Sequence, residues 1–494
     1  MPISKSDSLF TLIKSLTRGE KRHFRSFAQR ESEASSLKYL QLFEVLDKQN
    51  EPNETALIQQ FDKRQLSNLK RHLYTQILSS LRLQKRKDNV AIQLREYFDF
   101  ANILYGKGLY LQALKILDKA KSLAMKINDE LILLQLLEFA KVIETRHITR
   151  SGADRVAYFT ENTDQLISNI NNRIMLSNLR ISLHGGYIKY GHVHSEDEAK
   201  KVRLRFKKTL DLVNESSLGL IERAYYYQSR VWYHFILLEM KECFENAVQW
   251  LDLFKMEGKY VQRDTNLLMR AYHYILTTLY HLGRQESYVN YLEEFEKYRK
   301  DNYHKFNKNS QIISFIYVHN GRLNNYILTK NYKAGLHAIP KTLARIKRYQ
   351  NNLDSHRILV LHYKIALLYI MAGEADKAIP YLNNILNNKL GNLREDIQGY
   401  ARLAYLMAHY DIANYDVVER ELRSIKKYFN KHATESTMPM LILNYFKKLT
   451  EQPSSERRGT LQSWSNDLKE LFKSKYEKRG LLYLNIQEWV EKKH

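Results

Sequence analysis

The sequence predicts an all-α protein built from repeated helical hairpins, and three observations support this fold class. The 494 residues include only 17 glycines and 6 prolines, well below the usual shares of about 7% and about 5%. A sheet-rich chain needs more of both residues in its turns. Apolar residues recur at helical spacing, and similar patterns return every 40 to 48 residues. Long helices joined by short turns are therefore expected.

Residues 1–89 do not show this repeat and are predicted to form a separate N-terminal helical domain. The apolar spacing predicts helices at 9–16, 20–28, 37–46, 54–61 and 66–83. Thr17 and Glu20 have the spacing of a capping box at the start of the second helix. We therefore expect a small helical domain at this end of the chain.

The clearest repeat runs from residue 97 to residue 120 and contains two apolar stripes separated by a glycine. Small residues at Ala101 and Ala113 would let the two helices approach closely. A second strong copy spans residues 365–385 around Gly373 and Ala378. The small position of the second helix can be followed along the chain at Ala113, Ala157, Ala199, Ala247, Tyr288, Gly335, Ala378 and Val418.

These two copies closely resemble the tetratricopeptide motif, and the resemblance covers residues 90–450 with a step longer than the 34 residues usual for the motif. It implies a right-handed α-solenoid of TPR-like hairpins, in which the first helices line a concave groove. Residues 451–494 begin with a loop at 451–458 that contains Pro453. We expect them to form C-terminal capping helices.

The chain has one cysteine, Cys243, so an internal disulfide is excluded and a reducing compartment is favoured. Residues 1–10 lack the pattern of a secretory signal. The most apolar segment, 358–373, is interrupted by His362 and Lys364 and is too short for a bilayer. These features predict a cytoplasmic protein without a membrane span, and they leave the oligomeric state open.

The sequence predicts no enzymatic activity and no cofactor, because the common phosphate-loop, dinucleotide, zinc-protease and nucleophile-elbow motifs are missing. His192 and His194 lie near Glu196 and Asp197, a combination that can bind zinc. Gly185, Gly186 and Gly191 nearby indicate a turn with ordinary exposed polar residues. No metal site is therefore predicted. The aromatic run at 225–233 is expected to lie in the core.

The first functional hypothesis is a non-enzymatic scaffold that binds a peptide or protein partner in the groove. The net charge of +24 favours an acidic partner. By the resemblance, outward residues of the first helices are candidates for contact, because asparagines can bond a peptide backbone and arginines a carboxylate. These candidates are Arg95, Phe98, Asn102, Tyr105, Arg270, His273, Tyr280, Tyr317, Asn320 and Asn324.

The second hypothesis is a nucleic-acid-binding regulator. The layout resembles bacterial peptide-sensing regulators, in which a helix-turn-helix domain precedes a tetratricopeptide array that acts as a sensor. Residues 37–83 would then form three helices, and the third would carry contact residues toward a groove of the nucleic acid. The candidates are Arg64, Asn68, Lys70 and Arg71.

Overall fold

The computed structural model describes residues 5–30, 34–147, 153–256, 265–349, 353, 355–387, 395–431 and 437–493. Within these ranges the chain forms 24 α-helices and no β-strand, which confirms the all-α prediction. None of the described helices combines the length and the apolar character needed to cross a bilayer. The chain divides into two compact units, residues 1–167 and 168–494. The predicted boundaries at 89/90 and 450/451 stay predictions.

The N-terminal unit holds eight helices and the first part of a ninth. They are α1 Lys5–Ser15, α2 Arg18–Arg30, α3 Ala34–Lys48, α4 Glu54–Gln60, α5 Lys63–Lys85, α6 Val90–Gly106, α7 Tyr110–Lys126, α8 Glu130–Arg146 and α9 Ala153–Tyr190.

Helices α1 to α5 pack around a small apolar core that includes Ile13, Phe24 and Phe43. The predicted capping box is confirmed at the start of α2. The Thr17 N–H donates to Glu20 Oε2 at 2.8 Å, and the Glu20 N–H donates to Thr17 Oγ1 at 3.2 Å. These bonds satisfy two backbone donors that a helix start otherwise leaves without partners.

The repeat at residues 97–120 forms the hairpin of α6 and α7. Ala101 and Ala113 are fully buried, as their predicted role in close helix contact requires. Gly108 adopts a φ of +77°, a conformation that glycine accepts without steric cost and that ends α6. Phe100 departs from the motif, since 41% of its surface is exposed.

Helix α9 departs from the predicted repeat, because its 38 residues run without the expected hairpin turn. Ala157, assigned to a packed small position, is exposed. Gly185 and Gly186 were expected in a turn but lie inside the helix, and the chain turns only at Gly191, whose φ is +73°. Two glycines weaken a helix by only about 1 kcal/mol each, so the contacts of α9 can outweigh their preference for a turn.

The C-terminal unit continues with fifteen helices. They are α10 Glu196–Asp211, α11 Leu220–Ile236, α12 Met240–Met256, α13 Thr265–Leu282, α14 Gln285–Asn302, α15 Lys308–Leu328, α16 Tyr332–Tyr349, α17 Ser355–Met371, α18 Ala375–Leu386, α19 Glu395–Asp411, α20 Tyr415–Lys431, α21 Met438–Glu451, α22 Arg457–Leu471, α23 Lys475–Lys478 and α24 Ile486–Lys493.

From α11 to α19 these helices pack in two rows. Each odd-numbered helix contacts the even-numbered helix that follows it and also the next odd-numbered helix. We call α11, α13, α15, α17 and α19 the odd row. This is the contact pattern that stacked hairpins produce. The right-handed solenoid shape stays a prediction.

The odd row is closely packed, as Gly321 on α15 illustrates. A Cβ atom there would lie 3.0 Å from Leu292 Cδ1 and 3.3 Å from Leu276 Cδ1. The Tyr288 hydroxyl donates to the Gly321 carbonyl oxygen at 2.9 Å. Most of the aromatic run at 225–233 is buried, including Tyr226, Tyr227, Trp232 and Tyr233, as predicted.

Residues 475–493, which we call the return segment, lie along the helices of this unit. The Tyr476 hydroxyl donates to Glu196 at the start of α10. Farther along the segment, Trp489 Nε1 donates to Asp411 Oδ2 at the end of α19 at 3.0 Å. Between these points the Tyr363 hydroxyl of α17 donates to the Tyr483 carbonyl oxygen at 2.9 Å. The segment therefore contacts helices that are far apart in the sequence.

A test of the hairpin packing replaces Ala378, which is fully buried at the start of α18. We expect Ala378→Leu to lower the free energy of urea unfolding by about 1 to 3 kcal/mol, because a larger side chain overpacks the helix contact. The matched control is Asn384→Leu on the exposed face of the same helix. A change at Ala378 within about 0.5 kcal/mol of zero, as at ordinary surface sites, would show that this position does not face a neighbouring helix.

Candidate functional site

The C-terminal unit contains a cavity of about 500 Å³, lined by α9, the odd row and the return segment. Helices α9, α11, α13, α15 and α17 contribute residues spaced three or four positions apart, which lie on one helical face. Helix α13 supplies Arg270, His273, Thr277 and His281, and α17 supplies Arg357, Leu361 and Lys364. The return segment adds Leu482 and Tyr483 to the wall. The volume lies within the range of about 300 to 1,000 Å³ typical of ligand sites.

Six of the ten predicted groove residues line this one cavity. Arg270, His273 and Tyr280 come from α13, and Tyr317, Asn320 and Asn324 come from α15. The structure therefore brings together residues that the sequence placed on the first helices of two successive repeats.

Three cationic side chains line the cavity. Arg270, Arg357 and Lys364 line it, and no carboxyl group is found among the described residues of its lining. The Lys364 ammonium donates to Asn324 Oδ1 and lies 5.8 Å from the centre of the Tyr280 ring. Cations grouped in a cavity with apolar walls concentrate the electrostatic field and attract anions.

The charges of all three cations act on the His273 ring. Its ring stacks on Tyr317 with 4.4 Å between ring centres. Burial, followed by the charges of Lys364, Arg270 and Arg357, lowers the pKa of His273 to about 3. His273 is therefore neutral at pH 7, and the charge of the cavity comes from the arginines and the lysine.

His281 and His184 are neutral for similar reasons. Burial is the main cause that lowers the pKa of His281 to about 3, and His192 and Lys364 add to it. Burial also lowers the pKa of His184, followed by the charges of Arg270 and Arg180. A neutral imidazole can both donate and accept a hydrogen bond, so these rings add polar contacts without adding charge.

Nδ1 of His281 and Oδ1 of Asn320 are buried polar atoms of the lining that have no hydrogen-bond partner within the described part of the chain. A buried polar atom without a partner costs about 1 to 3 kcal/mol. A bound molecule that reached these atoms would recover part of that free energy.

Aromatic rings form one side of the cavity. Trp232 lies between His184 and Tyr274, with ring-centre distances of 4.8 and 5.4 Å. Tyr187 contacts Trp232 at 5.3 Å and Phe235 at 5.5 Å. These rings meet mostly edge to face and give the cavity an apolar aromatic side.

Sequence reasoning missed Arg357, Lys364, His184 and His192 as lining residues. Lys364 was considered only as an interruption of an apolar segment. A lysine within an apolar helical segment nevertheless indicates a polar site nearby, because lysine is rarely buried without a partner for its charge. His192 was considered as a metal ligand, but its Nδ1 lies 2.7 Å from the Phe235 carbonyl oxygen. Across the described ranges, no group of three or more His, Cys, Asp or Glu residues is arranged to bind a metal ion.

The other four predicted groove residues lie on α6 in the N-terminal unit. Arg95 donates to the Ala91 carbonyl oxygen at 2.9 Å, and Asn102 donates to that of Phe98 at 2.9 Å, both within one turn of α6. The Tyr105 hydroxyl accepts from Arg146 of α8 at 3.2 Å, and the Phe98 ring packs on another α8 side chain. The prediction that these four residues contact a partner stays open.

The four candidate nucleic-acid contacts lie on α5. Arg64, Asn68 and Arg71 are exposed and follow the i, i+4, i+7 spacing of one helical face. Arg71 Nη2 donates to Asn68 Oδ1 at 3.3 Å. Lys70 pairs with Glu54 at 2.9 Å, and its side chain is only 15% exposed.

Comparison with known proteins gave no similarity on which to base a function: no family model, curated protein or solved structure matches the chain.

A test of the electrostatics at His273 measures stability against pH. The unfolded histidine binds a proton below about pH 6.5, whereas the folded one binds it only near pH 3. The contribution of such a histidine to the free energy of unfolding is therefore fully present above pH 6.5. It decreases as the pH drops toward 3, by up to about 1.4 kcal/mol per pH unit for each such histidine. We expect His273→Gln to reduce the slope of unfolding free energy between pH 6.5 and pH 5.

The control for this test is His337→Gln, which changes an exposed histidine on α16. An unchanged slope in His273→Gln would show that His273 takes up its proton equally in the folded and unfolded states.

Proposed function

We propose that this protein is a non-enzymatic scaffold that binds an acidic peptide segment of a partner protein in the cavity of the C-terminal unit. The observation that carries the proposal is the wall itself. Three cationic side chains line it without a carboxyl group among its described residues, beside two asparagines. Such a wall selects for negative charge and offers hydrogen bonds to a peptide backbone.

The tetratricopeptide-like arrangement belongs to the same proposal. It is supported by the two-row packing from α11 to α19 and by the position of six predicted groove residues on the cavity wall. The proposal includes a right-handed solenoid and a cytoplasmic location, for which the single buried Cys243 is the supporting feature.

A binding role is also supported by the titration of the histidines. A general acid or base is most effective when its pKa lies near the working pH. The pKa values of His273 and His281 are both lowered to about 3. These two side chains therefore serve better as neutral hydrogen-bonding groups than as proton-transfer groups at pH 7.

The nucleic-acid regulator is the second candidate, and one observation favours it. Arg64, Asn68 and Arg71 share an exposed face of α5, which a nucleic acid could approach. The ion pair of Lys70 with Glu54 leaves this face with two cations, fewer than the cavity wall carries. We therefore rank this candidate below the scaffold.

The scaffold proposal is tested by selecting displayed heptapeptides on the full-length protein. We expect Asp-rich and Glu-rich sequences on the wild type and their loss on the double variant Arg270→Glu, Lys364→Glu, because reversed charges repel them. The control is Lys377→Glu, Arg420→Glu, whose side chains are 58% and 70% exposed. The same acidic enrichment on all three proteins would contradict the proposal, since net charge alone would then explain it.

The regulator candidate is tested through the salt dependence of binding to duplex DNA. Each phosphate contact contributes about 0.9 to the logarithmic salt slope. If α5 contacts DNA, replacing Arg64, Lys70 and Arg71 by glutamine lowers the slope by up to about 3. Replacing the exposed Lys200, Lys207 and Lys208 of α10 is the control. Under the scaffold proposal we expect weak binding and equal slopes in both variants.

A further inference from the structure

Helix α10 carries two strongly exposed leucines on the side that faces away from the core. Leu204 is 84% exposed, and Leu212, which follows the last turn in a helical conformation, is 71% exposed. The opposite side of the helix is packed, because Ala199, Phe206 and Leu210 belong to the buried core of the C-terminal unit. The apolar surface of the two leucines is therefore left in water by the fold.

Polar contacts hold α10 in this orientation. Arg203 Nη1 donates to Glu196 Oε1 at 2.7 Å, and its Nη2 donates to Glu239 Oε1 at 2.9 Å. Glu239 lies in the turn between α11 and α12, so Arg203 joins α10 to the neighbouring hairpin. The Tyr476 hydroxyl of the return segment donates to Glu196 at the start of the helix. We call the side opposite these contacts the outer face of α10.

Lysines alternate with the leucines on the outer face. Positions 201, 204, 208 and 212 are three or four residues apart, so they lie on the same side of the helix. Lys201 and Lys208 thus lie beside Leu204 and Leu212. Together with Lys207 they are exposed, and none of the three forms an ion pair with a described residue.

The outer face has an excess of positive charge. Lys200 and Arg205 are exposed as well, which brings the number of cations on this face to five. The exposed carboxylates are Asp211 and Asp197, and Asp197 pairs with Lys200 at 3.4 Å. Five cations and two carboxylates leave a net charge of +3. The outer face therefore matches an anionic surface.

The leucines distinguish between two kinds of anionic partner. Contacts to nucleic acid phosphates use cationic and hydrogen-bonding side chains, so exposed leucines would contribute nothing to them. An anionic bilayer attracts basic residues and also accepts apolar side chains at the boundary between the headgroups and the acyl chains. Lysine side chains can keep their ammonium groups among the headgroups while neighbouring apolar groups lie deeper. A lipid surface therefore uses both features of the outer face.

We propose that the outer face of α10 docks on an anionic lipid surface, with Leu204 and Leu212 entering the headgroup region. The two leucines are eight residues apart, which is about 12 Å along the helix axis, so both can meet a flat surface at once. The net charge of +24 adds long-range attraction to the same surface. Because the docked area is one side of a single helix, the attachment is peripheral and reversible. It is independent of peptide binding in the cavity.

The test is co-sedimentation of the full-length protein with two kinds of vesicle, one of phosphatidylcholine alone and one that also contains phosphatidylserine. We expect binding to the mixed vesicles only, weakening as salt is added, because part of the attraction is electrostatic and is screened. Equal binding to both kinds of vesicle, or binding to neither, would contradict the proposal.

A leucine variant tests the apolar part of the contact. We expect the pair Leu204→Ser, Leu212→Ser to bind mixed vesicles at least about tenfold more weakly, because both leucines lose their burial in lipid. The matched control is Ile174→Ser, Ile181→Ser on α9, where the two isoleucines are 52% and 69% exposed. Unchanged affinity in the leucine variant would show that charge alone binds the vesicles. That result, or an equal loss in the control, would refute the proposal.

A lysine variant tests the charged part. We expect the pair Lys201→Gln, Lys208→Gln to weaken binding by about 10-fold to 30-fold, since each basic residue near an anionic surface contributes about fivefold. The control is Lys426→Gln, Lys427→Gln, which removes two exposed lysines of α20 and changes the net charge equally. An equal loss in both variants would mean that net charge explains the binding, which contradicts a specific role of α10. Circular dichroism checks that all variants are folded.

A fluorescent probe at position 204 separates lipid from nucleic acid. The single cysteine of the chain, Cys243, is fully buried, so Leu204→Cys can be labelled selectively with an environment-sensitive dye. We expect its emission to shift to the blue on mixed vesicles, with no shift for the dye at Ile181→Cys and none on addition of duplex DNA. A shift with DNA and none with vesicles would overturn the proposal in favour of a nucleic-acid contact.

Discussion

The close packing of α13, α15 and α17 is the constraint on which the candidate site depends. Helix α15 contacts both α13 and α17 directly, in addition to the even-numbered helices. The absence of a side chain at Gly321 lets α15 lie against Leu276 and Leu292. Because the helix backbones are close, one face of each helix is directed into a shared space. Three helices thus combine residues that would be scattered on a looser scaffold.

Close packing of these helices removes water from the charged groups of the site. A cation that leaves bulk water loses hydration, and the loss must be offset by hydrogen bonds or by a ligand. Lys364 donates to Asn324 and lies near the Tyr280 ring, so part of its hydration is replaced within the protein. The neighbouring His273 and His281 are neutral at pH 7, because burial and the nearby positive charges lower their pKa values. The cationic side chains of the site are therefore its arginines and its lysine, and its buried imidazoles are neutral at pH 7.

Local patterns in the sequence predicted much of the fold. The capping box of Thr17 and Glu20, the buried positions Ala113 and Ala378, and the faces of α13 and α15 all depend on residues a few positions apart. Such patterns have a direct physical meaning, because one helical turn fixes which side chains lie together. The prediction of a hairpin turn within α9 was wrong, because a repeat period in the sequence cannot show that continuous helix has replaced the turn.

The remaining parts of the site depend on contacts between distant residues. Arg357 and Lys364 reach the cavity because α17 packs beside α15. Tyr483 reaches it because the return segment lies against α17. A single sequence contains no local signal for these pairings. His192 shows the difficulty well. Its neighbours suggested metal chemistry, whereas its actual partner, the Phe235 carbonyl oxygen, lies 43 positions away.

The return segment also has a consequence for the order of folding. Its contacts join Tyr476 to Glu196 and Arg479 to the carbonyl of His192, across 280 and 287 positions of the chain. Closing a loop of this length costs more conformational entropy than joining two helices of a hairpin, so neighbouring hairpins assemble first. The wall formed by Leu482 and Tyr483 is added to an existing stack. We therefore expect the cavity to be closed on this side only after the helices of the stack have paired.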